Sequence, residues 1–160
     1  MIIKGKNTMK TKFLAPLEGK IIQIDQVSDP VFSQKMLGDG IAIRPTLAKH
    51  KVLSPIDGTI QSLHSSNHAY GILSTSGVEI LIHIGVDTVN LKGQGFTPFV
   101  KEGQVVKAGE ALVEVDFDYV SKNAPSIDVI MVLTALLGSE VVLKNLADNV
   151  KSQEEIISVE

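Results

Sequence analysis

The chain contains no cysteine and no tryptophan. Without cysteine there is no disulfide scaffold, no thiolate nucleophile and no thiolate metal site. Aromatic residues are scarce at 4%, and charge of one sign is scarce too, the net charge being −3. So small a charge creates no field for a phosphate backbone, which argues against nucleic-acid binding. Long apolar runs are also missing. The most apolar stretch, Val129 to Leu137, is about half of what spans a bilayer. Four lysines stand among the first twelve residues, but no apolar segment follows them, so they do not read as a secretion signal. Residues 1–12 read as a short flexible leader without the amphipathic pattern of a membrane-inserting helix. Residues 13–160 read as one domain of a cytoplasmic protein.

What the chain has is β-branched residues, with 17 Ile and 18 Val. These favour pleated surfaces, and 13 Gly and 6 Pro cut the sequence into short pieces. Two internal echoes stand out. Phe13 to Ile24 resembles Val52 to Leu63 at an offset of 39, aligning Pro16 with Pro55 and Gly19 with Gly58. Each copy reads as a strand, a Pro-x-x-Gly turn and a second strand. Val106 to Val115 resembles Val150 to Val159 at an offset of 44, and both read as hairpins. The expected fold is an all-β antiparallel sandwich or barrel built on a duplicated motif. One or two short helical turns are expected, over Asp116 to Ala124 and Val31 to Leu37.

The segment from His68 to His83 carries the chemistry. Ser74 to Gly77 is a turn signal between two strand-like runs. A turn centred on Thr75 and Ser76 pairs Leu73 with Val78 and His68 with His83. Val78, Ile80, Ile82, Ile84 and Val86 then form the buried face, while Leu81, His83, Asp87, His68 and Tyr70 share the other. Opposed residues lie about 5 Å apart at Cβ, so two imidazoles can converge on one small group. Three readings of this pair stand open. It can hold a transferable phosphoryl group, one ring acting as nucleophile and the other as donor. It can bind Zn2+. It can be two ordinary surface histidines. His50 and His64 have no expected partner. Asp87 either meets an arginine of a partner or caps its own loop.

With these residues in view, the chain resembles enzyme IIA of the glucose family of the bacterial phosphoenolpyruvate-dependent sugar phosphotransferase system. The resemblance rests on Gly77 through His83-Ile-Gly-Val-Asp-Thr-Val to Leu91-x-Gly-x-Gly-Phe96. It extends to Asn67-His68-Ala69, the Pro-x-x-Gly-x-Ile repeat, and Val31-Phe32 through Gly38-Asp39-Gly40, and covers about Phe13 to Val159. It implies a duplicated barrel-sandwich fold. It also implies that His83 is phosphorylated on Nε2, that His68 contacts the phosphoryl group, and that Ser66 hydrogen-bonds His68. The donor would be phosphohistidine on the carrier HPr. The acceptor would be a cysteine of the IIB domain of a sugar permease, met at the inner face of the membrane. Val31, Phe32, Met36, Tyr70, Leu81 and Phe96 would form an apolar docking ring, with Asp29 and Asp87 facing partner arginines. Regulatory partners chosen by phosphorylation state belong to the same picture. No cofactor is required, and a Zn2+ bridging His68 and His83 is a further possibility for the pair.

The chain departs from that family's pattern at two places. Ser66 stands where threonine is common, and His64 where relatives often carry an apolar or aromatic residue. Two other functions compete. A zinc-dependent peptidase of related architecture needs a third protein ligand, and no His-x-His pair is present. A lipoyl- or biotinyl-type carrier domain resembles Val100 to Val115, but the chain is twice the length that module needs.

Overall fold

The computed structural model describes residues 10–144 and 148–160; residues 1–9 of the expected leader lie outside that range. The first half contains β1 (Thr11–Leu14), β2 (Gly19–Gln23), β3 (Asp39–Arg44), β4 (Lys49–Leu53), β5 (Gly58–Leu63), β6 (Ala69–Ser74) and β7 (Glu79–Val86). The second contains β8 (Phe96–Pro98), β9 (Val105–Val106), β10 (Ala111–Asp116), β11 (Ser126–Ala135), β12 (Val141–Leu143), β13 (Asn149–Val150) and β14 (Glu155–Val159). Two short helices interrupt them, α1 (Pro30–Ser33) and α2 (Phe117–Asn123). Every strand pair is antiparallel. Thr11 and Lys12, expected in the leader, belong instead to β1 and pair with Val159 and Ser158.

The echoes in the sequence become a pseudo-two-fold axis. One three-stranded sheet has the order β1-β14-β12 and the other β4-β10-β8. The eight-stranded sheet, β13-β2-β3-β11-β7-β6-β5-β9, matches strand for strand from either edge. The two Pro-x-x-Gly corners meet at the axis. Leu14 N–H donates to the Pro55 carbonyl at 2.9 Å, and Leu53 N–H donates to that of Pro16 at 2.8 Å. Both corners need glycine for the same reason. A Cβ on Gly19 would come within 2.4 Å of the Arg44 carbonyl oxygen, and one on Gly58 within 2.4 Å of that of Leu73.

The second echo is corrected in one respect. Val106 to Val115 and Val150 to Val159 are not hairpins. Within each, the first strand joins the large sheet and the second joins a small one. Each therefore wraps its own Pro-x-x-Gly corner: Gln153 N–H bonds the Ala15 carbonyl, as Gly109 N–H bonds that of Ser54. The stretch that resembles a carrier domain is thus one copy of this corner motif. Helix α2 forms where expected, with Asp116 accepting from Tyr119 N–H at 3.2 Å. The other expected helix is shorter, a single turn begun by Asp29 and Pro30.

The main core lies between the sheets and includes Ile80, Ile82, Ile84, Val129 and Met131. A smaller cluster covers the opposite face of the large sheet. It comprises Ile22, Ala42, Ile130, Val132 and Val86, closed over by Ile24, Val27 and Phe32. Ile130 stands opposite His83 in the β7–β11 ladder. His83 therefore belongs to this second face, at the centre of the sheet and beside α1. Among the described residues no helix is long and apolar enough to cross a membrane.

Candidate functional site

The expected hairpin register is off by one residue. Ala69, not His68, stands opposite His83, and Leu73 stands opposite Glu79. The cause is Gly77, which enters the loop at φ 92° and makes it three residues long. The shift moves Tyr70 opposite Ile82 and fully into the main core. Tyr70 therefore has no place in a docking surface. A register slip should also have parted the two histidines, yet their rings lie 5.0 Å apart at the centroids, edge to face. His68 escapes the alternation because β6 begins only at Ala69 and Asn67 before it is left-handed, at φ 63°.

A third histidine joins them. His64 N–H donates to the Ala69 carbonyl at 3.1 Å, so one row across three strands reads His64, Ala69, His83. Neighbouring strands lie about 4.8 Å apart, which leaves a gap over the small Ala69 side chain. The His68 ring lies between the other two, 4.5 Å from His64 and 5.0 Å from His83. Sequence reasoning left His64 without a partner. The β5–β6 register, carried one pair beyond Leu63 and Tyr70, would have found it.

His83 is fixed on two sides. Its Nδ1–H donates to the Gly85 carbonyl at 2.8 Å. Because a carbonyl only accepts, Nδ1 holds the proton and Nε2 keeps its lone pair. Gly85 is at φ 76° where the β7–β11 register shifts, and a Cβ there would lie 2.5 Å from Thr88 Cγ2. Phe32 packs against the imidazole at 5.0 Å. Burial lowers the His83 pKa, opposed by the Gly85 bond and the carboxylates of Asp29 and Asp87. The ring is thus a neutral base near pH 7.

His68 is only 4% exposed, and its Nδ1 has no hydrogen-bond partner among the described residues. Burial, then the neighbouring His83 and His64, push its pKa down to about 4. An unfolded chain protonates this group near its ordinary value of 6.5, whereas the folded one resists. Between these values the unfolded state binds more protons, so stability falls as pH drops from 6.5 towards 4. The loss from this group is about 3 kcal/mol. Urea midpoints at pH 7.5 and 4.5 should fall less for His68→Gln than for the wild type.

The other expected site residues separate. Ser66 does not bond His68; its N–H donates to His64 Nδ1 at 3.0 Å, and its Oγ lies 2.9 Å from the same nitrogen. Phe96 is buried in the main core, so it offers little to a partner. Phe32 is also buried, but against His83. Leu81 is half-buried beside the second cluster. Val31 and Met36 are exposed, and Leu37 adds to them, so apolar surface follows α1. Asp29 accepts from Val31 N–H at 2.9 Å and so fixes this turn. Asp87 is exposed and makes no side-chain capping bond.

Among the described residues no group of three or more His, Cys, Asp or Glu is arranged to hold a metal ion. The adjacent His64, His68 and His83 rings are therefore not arranged as the three protein ligands of a catalytic zinc site.

Residues 11–137 match the family described as phosphoenolpyruvate-dependent sugar phosphotransferase system, EIIA 1. The chain belongs to that family. The EIIA 1 assignment accords with its relatives. The PTS system glucose-specific EIIA component of Buchnera aphidicola subsp. Acyrthosiphon pisum (strain APS) is 46% identical over 121 residues. That match covers 76% of this chain and 74% of the relative. The solved structure of glucose permease IIA from Mycoplasma capricolum superposes with a TM-score of 0.88 at 41% identity. The superposition covers 94% of this chain and 96% of that one. The protein is thus an EIIA component of a sugar phosphotransferase system.

Proposed function

We propose that His83 carries a phosphoryl group between HPr and the cysteine of a permease IIB domain, on the cytoplasmic side of the membrane. The observation that supports this most is the His83 Nδ1–H bond to Gly85, which leaves Nε2 unprotonated beside His68. In the first step the phosphorus–nitrogen bond to the donor imidazole breaks as one to His83 Nε2 forms. In the second that bond breaks as phosphorus bonds to the acceptor thiolate. The proton stays on Nδ1, donated to the Gly85 carbonyl throughout, so none need leave His83 in either step. His68, with Nδ1 buried, has only Nε2 to offer the phosphoryl group. A neutral Nε2–H there bonds the phosphoryl oxygens without trapping them as a cation would.

The exposed apolar surface along α1, at Val31 and Met36, suits successive docking of both partners near His83. Asp29 and Asp87 give that surface negative charge for basic partners. A charge change at His83 on phosphorylation supplies a basis for regulatory contacts. The names of both relatives favour glucose as the sugar.

The test uses phosphoenolpyruvate, enzyme I and HPr. The wild type is expected to gain one acid-labile, alkali-stable phosphate, and His83→Gln none. Failure of the wild type to take phosphate from a competent HPr would overturn the reading.

A further inference from the structure

His83 depends on the Gly85 carbonyl, and a glycine has no side chain to hold that carbonyl in place. The residue between them is tied on one side only by the sheet. Ile84 N–H donates to the His68 carbonyl at 2.8 Å. A regular antiparallel ladder returns a second bond, here from His68 N–H to the Ile84 carbonyl. Among the described residues that bond is not made, since β6 begins only at Ala69, after left-handed Asn67. A side chain takes the carbonyl instead: Thr88 Oγ1–H donates to it at 2.6 Å.

Thr88 reaches Ile84 because Asp87 before it is left-handed, at φ 58°, and turns the chain back towards β7. Its methyl then lies against Gly85, with Cγ2 2.5 Å from where a Cβ on that glycine would stand. One side chain thus bonds the peptide that enters Gly85 and packs on Gly85 itself. Thr88 and Ile84 are both 0% exposed, so solvent does not reach this bond, and a buried carbonyl left without a donor is costly. Ile84 also holds the His68 carbonyl, so Thr88 steadies the backbone beneath both histidines from one point.

We propose that Thr88 is a positioning residue for phosphoryl transfer, its hydroxyl fixing the Ile84–Gly85 peptide and so keeping the Gly85 carbonyl on His83 Nδ1–H. This rests on the phosphocarrier reading above. A neutral imidazole can carry its proton on either nitrogen, and only the form with the proton on Nδ1 has a lone pair on Nε2 to attack phosphorus. Without the Thr88 bond the Gly85 carbonyl turns from the ring. The proton then distributes over both nitrogens, and the share of molecules able to attack falls.

The experiment compares wild type, Thr88→Val, Thr88→Ser and Thr88→Ala. Nitrogen NMR of the uncharged protein reads the His83 tautomer. Charging rates at varied HPr, with phosphoenolpyruvate and enzyme I, separate KM from kcat. Thr88→Val keeps the shape of the side chain and loses the hydroxyl. It is expected to convert His83 from the Nδ1–H form to a mixture and to lower kcat about tenfold, with KM for HPr unchanged. Thr88→Ala should show the same mixture, and Thr88→Ser, which keeps the hydroxyl, should restore the Nδ1–H form and most of the rate. Thr88→Ser and Thr88→Ala lack the same methyl and differ only in the hydroxyl, so they decide the matter if Thr88→Val does not fold. His83 held as Nδ1–H at the wild-type kcat in Thr88→Val overturns the inference and leaves the phosphocarrier reading standing. So do equal tautomer populations in Thr88→Ser and Thr88→Ala. A wild type that takes no phosphate from a competent HPr removes both.

Discussion

His68→Gln is expected to accept a phosphoryl group from HPr and then fail to hand it on. Acceptance depends on the His83 Nε2 lone pair, which the Gly85 carbonyl secures from the other side of the ring. Donation depends on a group that follows the phosphoryl oxygens as the bond to nitrogen stretches. His68 is placed for that, edge-on to His83 at 5.0 Å. A positioned donor of this kind typically contributes 10²–10⁴-fold, so transfer to IIB should fall by roughly that factor. Phosphate per chain should stay near one. Rapid-quench transfer from the isolated phosphoprotein measures the two steps separately. Equal loss in both would assign His68 to the structure of the site instead.

The second large effect concerns stability. Arg44 is the sole arginine of the chain. Its Nε and terminal nitrogen donate to the two carboxylate oxygens of Asp128 at 2.7 and 3.0 Å. The two ends of this pair differ in exposure: the Asp128 side chain is 2% exposed and that of Arg44 49%. Arg44→Met therefore leaves a buried carboxylate without its counter-charge, at a cost of about 3–5 kcal/mol. Asp128→Asn leaves a guanidinium that can turn to water, and should cost clearly less. Urea denaturation at neutral pH should place the Arg44→Met midpoint well below that of Asp128→Asn. Coincident midpoints would mean that Arg44 contributes packing and not charge.

Much of this architecture was legible from repetition. The Pro16 and Pro55 corners are visible in the sequence because each needs the same turn and the same glycine for close approach. The alternation marked Val78, Ile80, Ile82 and Ile84 correctly as main core. Val86, expected with them, lies in the second cluster, because left-handed Gly85 and the β7–β11 register shift turn the strand over after Ile84. Which loop conformation Gly77 takes was not legible. One residue of difference there decided that Tyr70 is core and that Ala69 faces His83. His68 and His83 were found as a pair although the supposed register was wrong. They meet because the strand stops one residue short of His68, a local break that alternation cannot show. Ser66 and His64 were misread for a related reason. A hydroxyl beside two histidines has two partners within reach, and backbone geometry around Asn67 selects between them.

The pairing of β1 with β14 sets the order in which the molecule can be completed on the ribosome. Thr11 is made long before its partner, Val159. The equivalent corner, β4 with β10 and β5 with β9, has all its strands once Asp116 has emerged. One half of the duplicated fold can therefore close during synthesis while the other waits for β14. A chain ended before Glu155 leaves β1 and β12 as open edges, since β14 lies between them. Such edges invite proteases and other strands. The five residues of β14 thus determine whether the edges of β1 and β12 are covered, although they lie far in sequence from both histidines of the proposed phosphoryl site.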